Sequence, residues 1–237
     1  MELTEFISRL ESRILSTDVD YPNVTNLCYE AKEYGIPTVT VFPNMIDMCR
    51  ETLKDAPVKI CALISYPHGG FSPQQKADEC ANAVLHGASE MEVVGNTRET
   101  KSQSRAYLVD EMRLVKETVG RDVAVKFIIE IEMLSDEEAK LACEAAAEAG
   151  VDWIVTSTGE YCTLDENRND KMLVPTVHEV GLIKETVGNR VKVQAEGNIV
   201  DVETALALLA AGADRISTPC PVKLIREFME REENGNV

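Results

Sequence analysis

Short runs of β-branched and apolar residues alternate along this chain with longer Ala/Glu/Lys/Leu segments of helical period. That alternation predicts a parallel sheet wrapped by helices. Strands are predicted at residues 38–42, 59–65, 90–94, 123–130, 153–156, 191–195 and 215–218, with a weaker first strand near Arg9 to Leu15, which makes eight. Two internal repeats argue that the sheet closes. Gly87, Gly150 and Gly212, spaced 63 and 62 residues apart, each end a helical segment and precede a two-residue turn and a strand. The spacing matches two βα units per interval. The heptapeptide from Leu114 to Gly120 also recurs as Leu182 to Gly188, each copy followed by a strand. Together they predict an α/β fold, a single (β/α)8 TIM barrel filling residues 1–237 as one domain, a length at which such barrels commonly stay undivided. The stretch from Gly159 to about Val174 reads as the longest loop, with the charged run Asp165 to Asp170 as a candidate lid.

Composition narrows the function classes. With 41 acidic against 24 basic residues, the formal charge is −17, which argues against nucleic acid or an anionic membrane as partner. Seven cysteines (28, 49, 61, 80, 143, 162 and 220) form no Cys-x-x-Cys pair, as expected of free thiols in a reducing compartment. The acidic start and the lack of any apolar run long enough to span a bilayer make the expected location cytoplasmic.

Several segments carry a resemblance. Val39-Thr40-Val41-Phe42-Pro43, Ile64-Ser65-Tyr66-Pro67-His68-Gly69, Glu90 to Val94, Lys126 to Glu130, Val155-Thr156-Ser157-Thr158-Gly159 and Gly212 to Ile216 followed by Val222-Lys223 occur in this order. In order and spacing they resemble the strands of the deoxyribose-phosphate aldolase family over nearly the whole chain. The resemblance implies a lyase of carbohydrate metabolism whose sixth-strand lysine forms a Schiff base. That position is Val155 here; the second lysine, which lowers the pKa of the first, corresponds to Gln194, and the proton-shuttling aspartate to Glu92. A valine has no lone pair with which to attack a carbonyl. The places implied for a substrate phosphate hold Glu160, then Gly197-Asn198 with Val200, then Ser217-Thr218-Pro219-Cys220. Proline removes an amide donor and glutamate repels, so a non-phosphorylated small-molecule ligand is expected.

With Val155 facing inward, the strand period of two turns Gln194, Glu196, Glu92, Lys126, Ile128 and Glu130 into the barrel, with Glu132 and Glu160 at the loop edges and Glu11 from the first strand. So many carboxylates in a confined site need protons, cations or a metal. The candidate working groups are Glu92, Lys126, Glu130 and Glu196; Val155, Ser157, Gln194, Asn198, His68 and Glu160 are candidate substrate contacts. No organic cofactor is implied, and a divalent ion in the acidic mouth stays open. Lys126 is either the counter-ion of the glutamates or a relocated nucleophile. A lysine introduced at 155 is expected to be held as ammonium by Glu92 and Glu196. Three readings stand: a divergent enzyme that dispenses with the Schiff-base lysine, a non-catalytic barrel binding a metabolite or a protein, and a conventional deoxyribose-phosphate aldolase. Copies of the chain itself are expected partners, as a homo-oligomer.

Overall fold

The computed structural model describes residues 1–16, 18–164 and 170–234. Its strands are β1 (Leu10–Arg13), β2 (Thr38–Val41), β3 (Lys59–Ile64), β4 (Glu90–Val94), β5 (Ala124–Ile128), β6 (Trp153–Val155), β7 (Cys162–Leu164), β8 (Asp170–Met172), β9 (Lys192–Glu196) and β10 (Arg215–Thr218). All but β7 and β8 close a parallel barrel in the order β1-β10-β9-β6-β5-β4-β3-β2. Alternating with them are α1 (Leu3–Ser8), α2 (Tyr21–Tyr34), α3 (Ile46–Leu53), α4 (Pro73–His86), α5 (Thr97–Lys101), α6 (Arg105–Val119), α7 (Asp136–Ala149), α8 (Val177–Val187), α9 (Val202–Ala210) and α10 (Pro221–Glu233). The fold is therefore the predicted (β/α)8 barrel. Among the described residues no helix is long and apolar enough to cross a membrane.

Parity along each strand explains why the strands read as they do. Val39, Val41, Ile60, Ala62, Ile64, Met91, Val93, Val125, Phe127, Ile154, Val193, Ala195 and Ile216 share one parity and pack outward against the helices in a continuous apolar core. The opposite parity faces the barrel interior and carries Glu11, Arg13, Glu90, Glu92, Lys126, Gln194, Glu196 and Arg215, all buried. The helix ends are fixed locally. Ser72, Ser135 and Thr176 each cap a helix by accepting the amide three residues on while a Gln or Glu side chain reaches back. Gly87 (φ +111°) and Gly150 (φ +76°) close α4 and α7 in the left-handed region that favours glycine, as their spacing predicts.

Two expectations are corrected. The stretch after Gly159 contains an antiparallel hairpin, β7 on β8, with Cys162 opposite Met172; the charged residues 165–169 lie outside the described residues. And β5 stops at Ile128. Glu130 has φ +55° and enters a 3-10 turn over Ile131–Met133, so the strand period that assigned its direction ends before reaching it. Cys28, Cys49, Cys61, Cys80, Cys143 and Cys220 are free thiols.

Candidate active site

The lower barrel interior is an ionic network centred on Lys126. Its Nζ contacts a Glu11 carboxylate oxygen, Glu90 Oε2 at 3.0 Å and Glu92 Oε2 at 3.6 Å, and donates to Gln194 Oε1 at 3.2 Å. Arg215 Nη1 adds Glu11 at 2.8 Å and Glu90 at 2.9 Å, and its guanidinium lies 4.4 Å from the centre of the Trp153 ring. Thr40 and Gln194 donate to the other oxygen of Glu11 at 2.7 and 3.2 Å. One layer higher, Arg13 Nη1 pairs with Glu196 and donates to the Thr158 carbonyl at 2.9 Å. Among the described residues the interior thus holds Glu11, Glu90, Glu92 and Glu196 against the buried Lys126, Arg215 and Arg13, with the exposed Lys59 reaching Glu90 Oε1 at 3.0 Å from the barrel's lower edge.

The odd carboxyl is Glu92. Burial, then the Glu196 charge, pushes it well above the carboxylate range, so it carries a proton and the buried charges balance without the exposed Lys59. Burial would also lift Glu11 and Glu90, but Lys126 and Arg215 outweigh it and hold both low. For Lys126 burial works against the charge; the Cys61 sulfur and the glutamates win, and the ammonium persists well above its usual range. Glu11, Cys61 and Glu92 each bring one ligand atom within 4.8 Å of the others. The Lys126 ammonium occupies that cluster, which leaves it without the oxygen-rich shell of a hard divalent ion.

Above the network the barrel divides. On the β3–β6 side, two residues mouthward of Cys61, Glu92, Lys126 and Trp153, stand Leu63, Val94, Ile128 and Val155. They form a buried apolar layer against which Leu15, Phe42 and Tyr66 pack. Register joins them, Val94 opposite Ile128 and Ile128 opposite Val155. Val155 thus packs among apolar groups, while its register partner on β9 is Gln194, the amide that bonds Glu92 and Glu196. The β9–β1 side stays polar, with Glu196 and Arg13. Thr156 stitches the two sides, donating to the Glu196 carbonyl at 2.7 Å and accepting its amide at 2.8 Å.

At the mouth, Glu130 Oε1 accepts the Thr158 amide at 3.1 Å and Ser157 donates to Glu132. Burial, with Glu132 and Glu196 nearby, pushes Glu130 up to about 8 despite its bonds to Thr158. Burial likewise takes Glu132 to about 7 against the Ser157 hydrogen bond. A pocket of about 580 Å³ opens here, lined by Arg13, Leu15, Phe42, Tyr66, Gly159, Glu160, Asn198 and Pro219 among others. Asn198 Nδ2 donates to the Gly159 carbonyl at 3.1 Å.

Of the predicted contacts, Glu160 and Asn198 line the pocket and Ser157 stands beside it on Glu132. Val155 belongs to the apolar layer, while Glu92, Lys126 and Gln194 lie in the network below. Glu196 bridges to the mouth through Arg13. His68 is exposed, its ring 6.5 Å from that of Tyr161, and it does not line the pocket. Sequence reasoning passed over Arg13, Arg215 and Tyr66. A signal for Arg13 existed: once Glu11 faces inward, period two turns Arg13 inward too.

Comparison with known proteins bears on this architecture. The model of the DeoC/LacD family aldolases matches residues 8–178. Deoxyribose-phosphate aldolase 1 of Bacillus licheniformis is 34% identical over 232 residues, covering 98% of this chain and all of that protein. The deoxyribose-phosphate aldolase of Streptococcus uberis is 35% identical over 225 residues, 95% of this chain and 96% of that one. Among solved structures, an aldolase designated QR15 superposes with a TM-score of 0.86 at 30% identity, over 97% of this chain and 98% of that one. A structure described as the unique tetrameric deoxyribose phosphate aldolase of Aeropyrum pernix gives 0.83 at 25% identity, over 96% of this chain and 92% of that one. Fold and sequence agree with these proteins over nearly the whole length, and the chain belongs to the DeoC/LacD family of aldolases.

Proposed function

We propose that this barrel acts on a small, non-phosphorylated carbonyl compound or polyol by proton transfer, as a lyase or related carbohydrate enzyme, without forming an imine. The observation that carries this reading is Val155, fully buried in an apolar layer with Leu63, Val94 and Ile128, while Lys126 is enclosed and ion-paired below. An imine needs an unprotonated amine facing the substrate. The glutamates keep Lys126 an ammonium, enclosed in its ion pairs beneath the apolar layer. Proton transfer then falls to Glu130 and Glu132, which stand behind the pocket wall, Glu130 on the amide of the wall residue Thr158, and at about 8 and about 7 are divided between acid and carboxylate near neutral pH, the condition general acid–base catalysis favours.

The preference against phosphate has its own support. The Cys220 amide is engaged by Thr218 Oγ1 at 3.1 Å and the Glu160 amide by Thr158 Oγ1 at 3.3 Å, while the Glu160 side chain and Pro219 line the pocket. An entering phosphomonoester meets few free donors and a carboxylate. Self-association fits the same reading, since the Aeropyrum pernix relative is tetrameric. One observation favours the non-catalytic alternative: the interior charges already neutralise one another, as in a structural core.

Borohydride trapping with acetaldehyde and with deoxyribose 5-phosphate, read by intact mass and peptide mapping, tests the proposal. The expected result is no lysine adduct and no cleavage of the sugar phosphate. An adduct on Lys126 would overturn it in favour of a relocated nucleophile; robust cleavage would favour the activity for which the relatives are named.

A further inference from the structure

Arg13 and Tyr66 line the same mouth pocket from β1 and from the segment after β3, and both hold hydrogen-bonding capacity that no partner of normal geometry takes up among the described residues. Arg13 is 94% buried (6% exposed), and its Nη1 serves the Thr158 carbonyl and Glu196. Among the described residues its Nε and Nη2 donate to no partner. The Nη2 edge lies against Gly159, where a Cβ would come within 2.8 Å of it, so a glycine at φ +76° leaves that edge open to the pocket. The Tyr66 hydroxyl is enclosed and makes no hydrogen bond of normal geometry among the described residues, with the Glu160 carboxylate in reach as an acceptor. Its ring is fixed edge-on against Phe42, with centroids 5.5 Å apart. Burial, then the Glu160 carboxylate, raises the phenol well above its usual range, so it remains a proton donor. An enclosed donor without a well-placed acceptor is rare in folded proteins, and a pocket that sets one beside the open edge of a guanidinium is prepared for an oxygen that comes from outside.

We infer that Arg13 and Tyr66 together bind the carbonyl oxygen of a neutral hydroxyketone or hydroxyaldehyde. The pair is an electrophilic clamp that polarises the carbonyl by hydrogen bonding. The inference deepens the imine-free reading and rests on it, because a carbonyl held in this way need not be activated as an iminium. Charge selects the ligand. Arg13 is already matched by Glu196, and Glu160 stands at the rim, so a carboxylate or phosphate would add an anion where negative charge is in excess. A carbonyl needs only donors. Leu15 and Phe42 offer an apolar wall to its carbon chain.

Dihydroxyacetone and glycerol, which differ only at the central carbon, separate carbonyl recognition from hydroxyl recognition. Binding is titrated by NMR with [2-13C]dihydroxyacetone, and the carbonyl stretch of the bound ketone is read by infrared difference spectroscopy. The wild-type chain is expected to bind the ketone more tightly than glycerol and to lower its carbonyl stretch. Tyr66→Phe keeps the ring packing and is expected to weaken ketone binding roughly two- to tenfold, the worth of one neutral hydrogen bond, with glycerol unaffected. Arg13→Met alone would strand Glu196 and threaten folding, so Arg13→Met/Glu196→Gln is the second variant, expected to lose the carbonyl shift. Equal affinity for the two ligands, no saturable binding of the ketone, or a Tyr66→Phe protein that keeps both affinity and carbonyl shift would overturn the inference. A borohydride-trapped lysine adduct alongside a Tyr66-dependent carbonyl shift would sustain the clamp while overturning the imine-free reading.

Discussion

Replacing Lys126 by methionine probes the centre of the molecule and the question of its chemistry together. Methionine is close to lysine in length but cannot neutralise Glu11 and Glu90; Glu90 would keep Lys59 and a share of Arg215, while Glu11 would be left with its share of Arg215 as its one cation among the described residues. Breaking a buried ion pair by removing one partner costs about 3–5 kcal/mol. In a chain of this length that lowers the thermal midpoint by about 6–20 °C. The protonation pattern makes a sharper forecast. Glu11 is ionised, so Glu11→Gln in the Lys126→Met background removes a stranded charge and restores much of the loss. Glu92 already carries a proton, so Glu92→Gln replaces one neutral group by another and restores little. Urea denaturation of six proteins at neutral pH, the wild type, the three single variants and the two doubles, followed by circular dichroism and by Trp153 emission, gives the two coupling energies. Trp153 is the chain's one tryptophan and lies under Arg215 and Lys192, at 4.4 and 4.9 Å, so it reports directly on this interior. A Lys126→Met protein as stable as wild type would refute the buried-counter-ion account. Equal rescue by both second substitutions would refute the assignment of the proton to Glu92.

Because Glu130 and Glu132 are raised in the folded state, that state binds more protons than the unfolded chain between about pH 4.5 and 8; their contribution to stability is present at acid pH and is lost as pH rises through about 7 to 8. The double variant Glu130→Gln/Glu132→Gln should flatten that decline in denaturation midpoints, and an unchanged pH slope would count against the assignment. Val155→Lys buries an amine among Leu63, Val94 and Ile128, so its pKa falls; the stability loss should be largest at acid pH and shrink toward alkaline pH, and the variant should still fail to cleave deoxyribose phosphate. A loss independent of pH would show that the new amine escapes the apolar layer. Thermal-shift screening should show stabilisation by neutral sugars or polyols and none by inorganic phosphate; the reverse ranking would contradict the engaged Cys220 and Glu160 amides.

The barrel is legible in the sequence because strand parity writes the outer core as a regular series of valines and isoleucines, and because the helix-ending glycines recur with the unit length. The inward residues are legible one at a time but not as a set. Lys126 meets Glu11 across 115 residues and Arg13 meets Glu196 across 183, so a charge count along any one segment leaves each carboxylate looking unpaired. That is why an acidic ring in need of a cation was the natural expectation and a self-neutral network is the outcome. Leu63, Val94, Ile128 and Val155 are similarly unremarkable strand residues until register stacks them into one layer. Glu130 is misread for a local reason, a left-handed residue that ends the alternation.

The site's chemistry follows from how these layers divide the charge. Lys126, Arg215 and Arg13 balance Glu11, Glu90 and Glu196, and Glu92 keeps its proton, so the acidity that remains to do work lies outside the network at Glu130, Glu132 and Glu160. A covalent route through an interior lysine would have to remove the proton from Lys126, leave Glu11 and Glu90 without that counter-ion, and bring the amine past an apolar layer. A route through carboxyls already poised near neutral pH, with donors from Arg13 and Tyr66 on the substrate oxygen, requires none of these. These costs to the covalent route, rather than the valine alone, support the proposed imine-free reading.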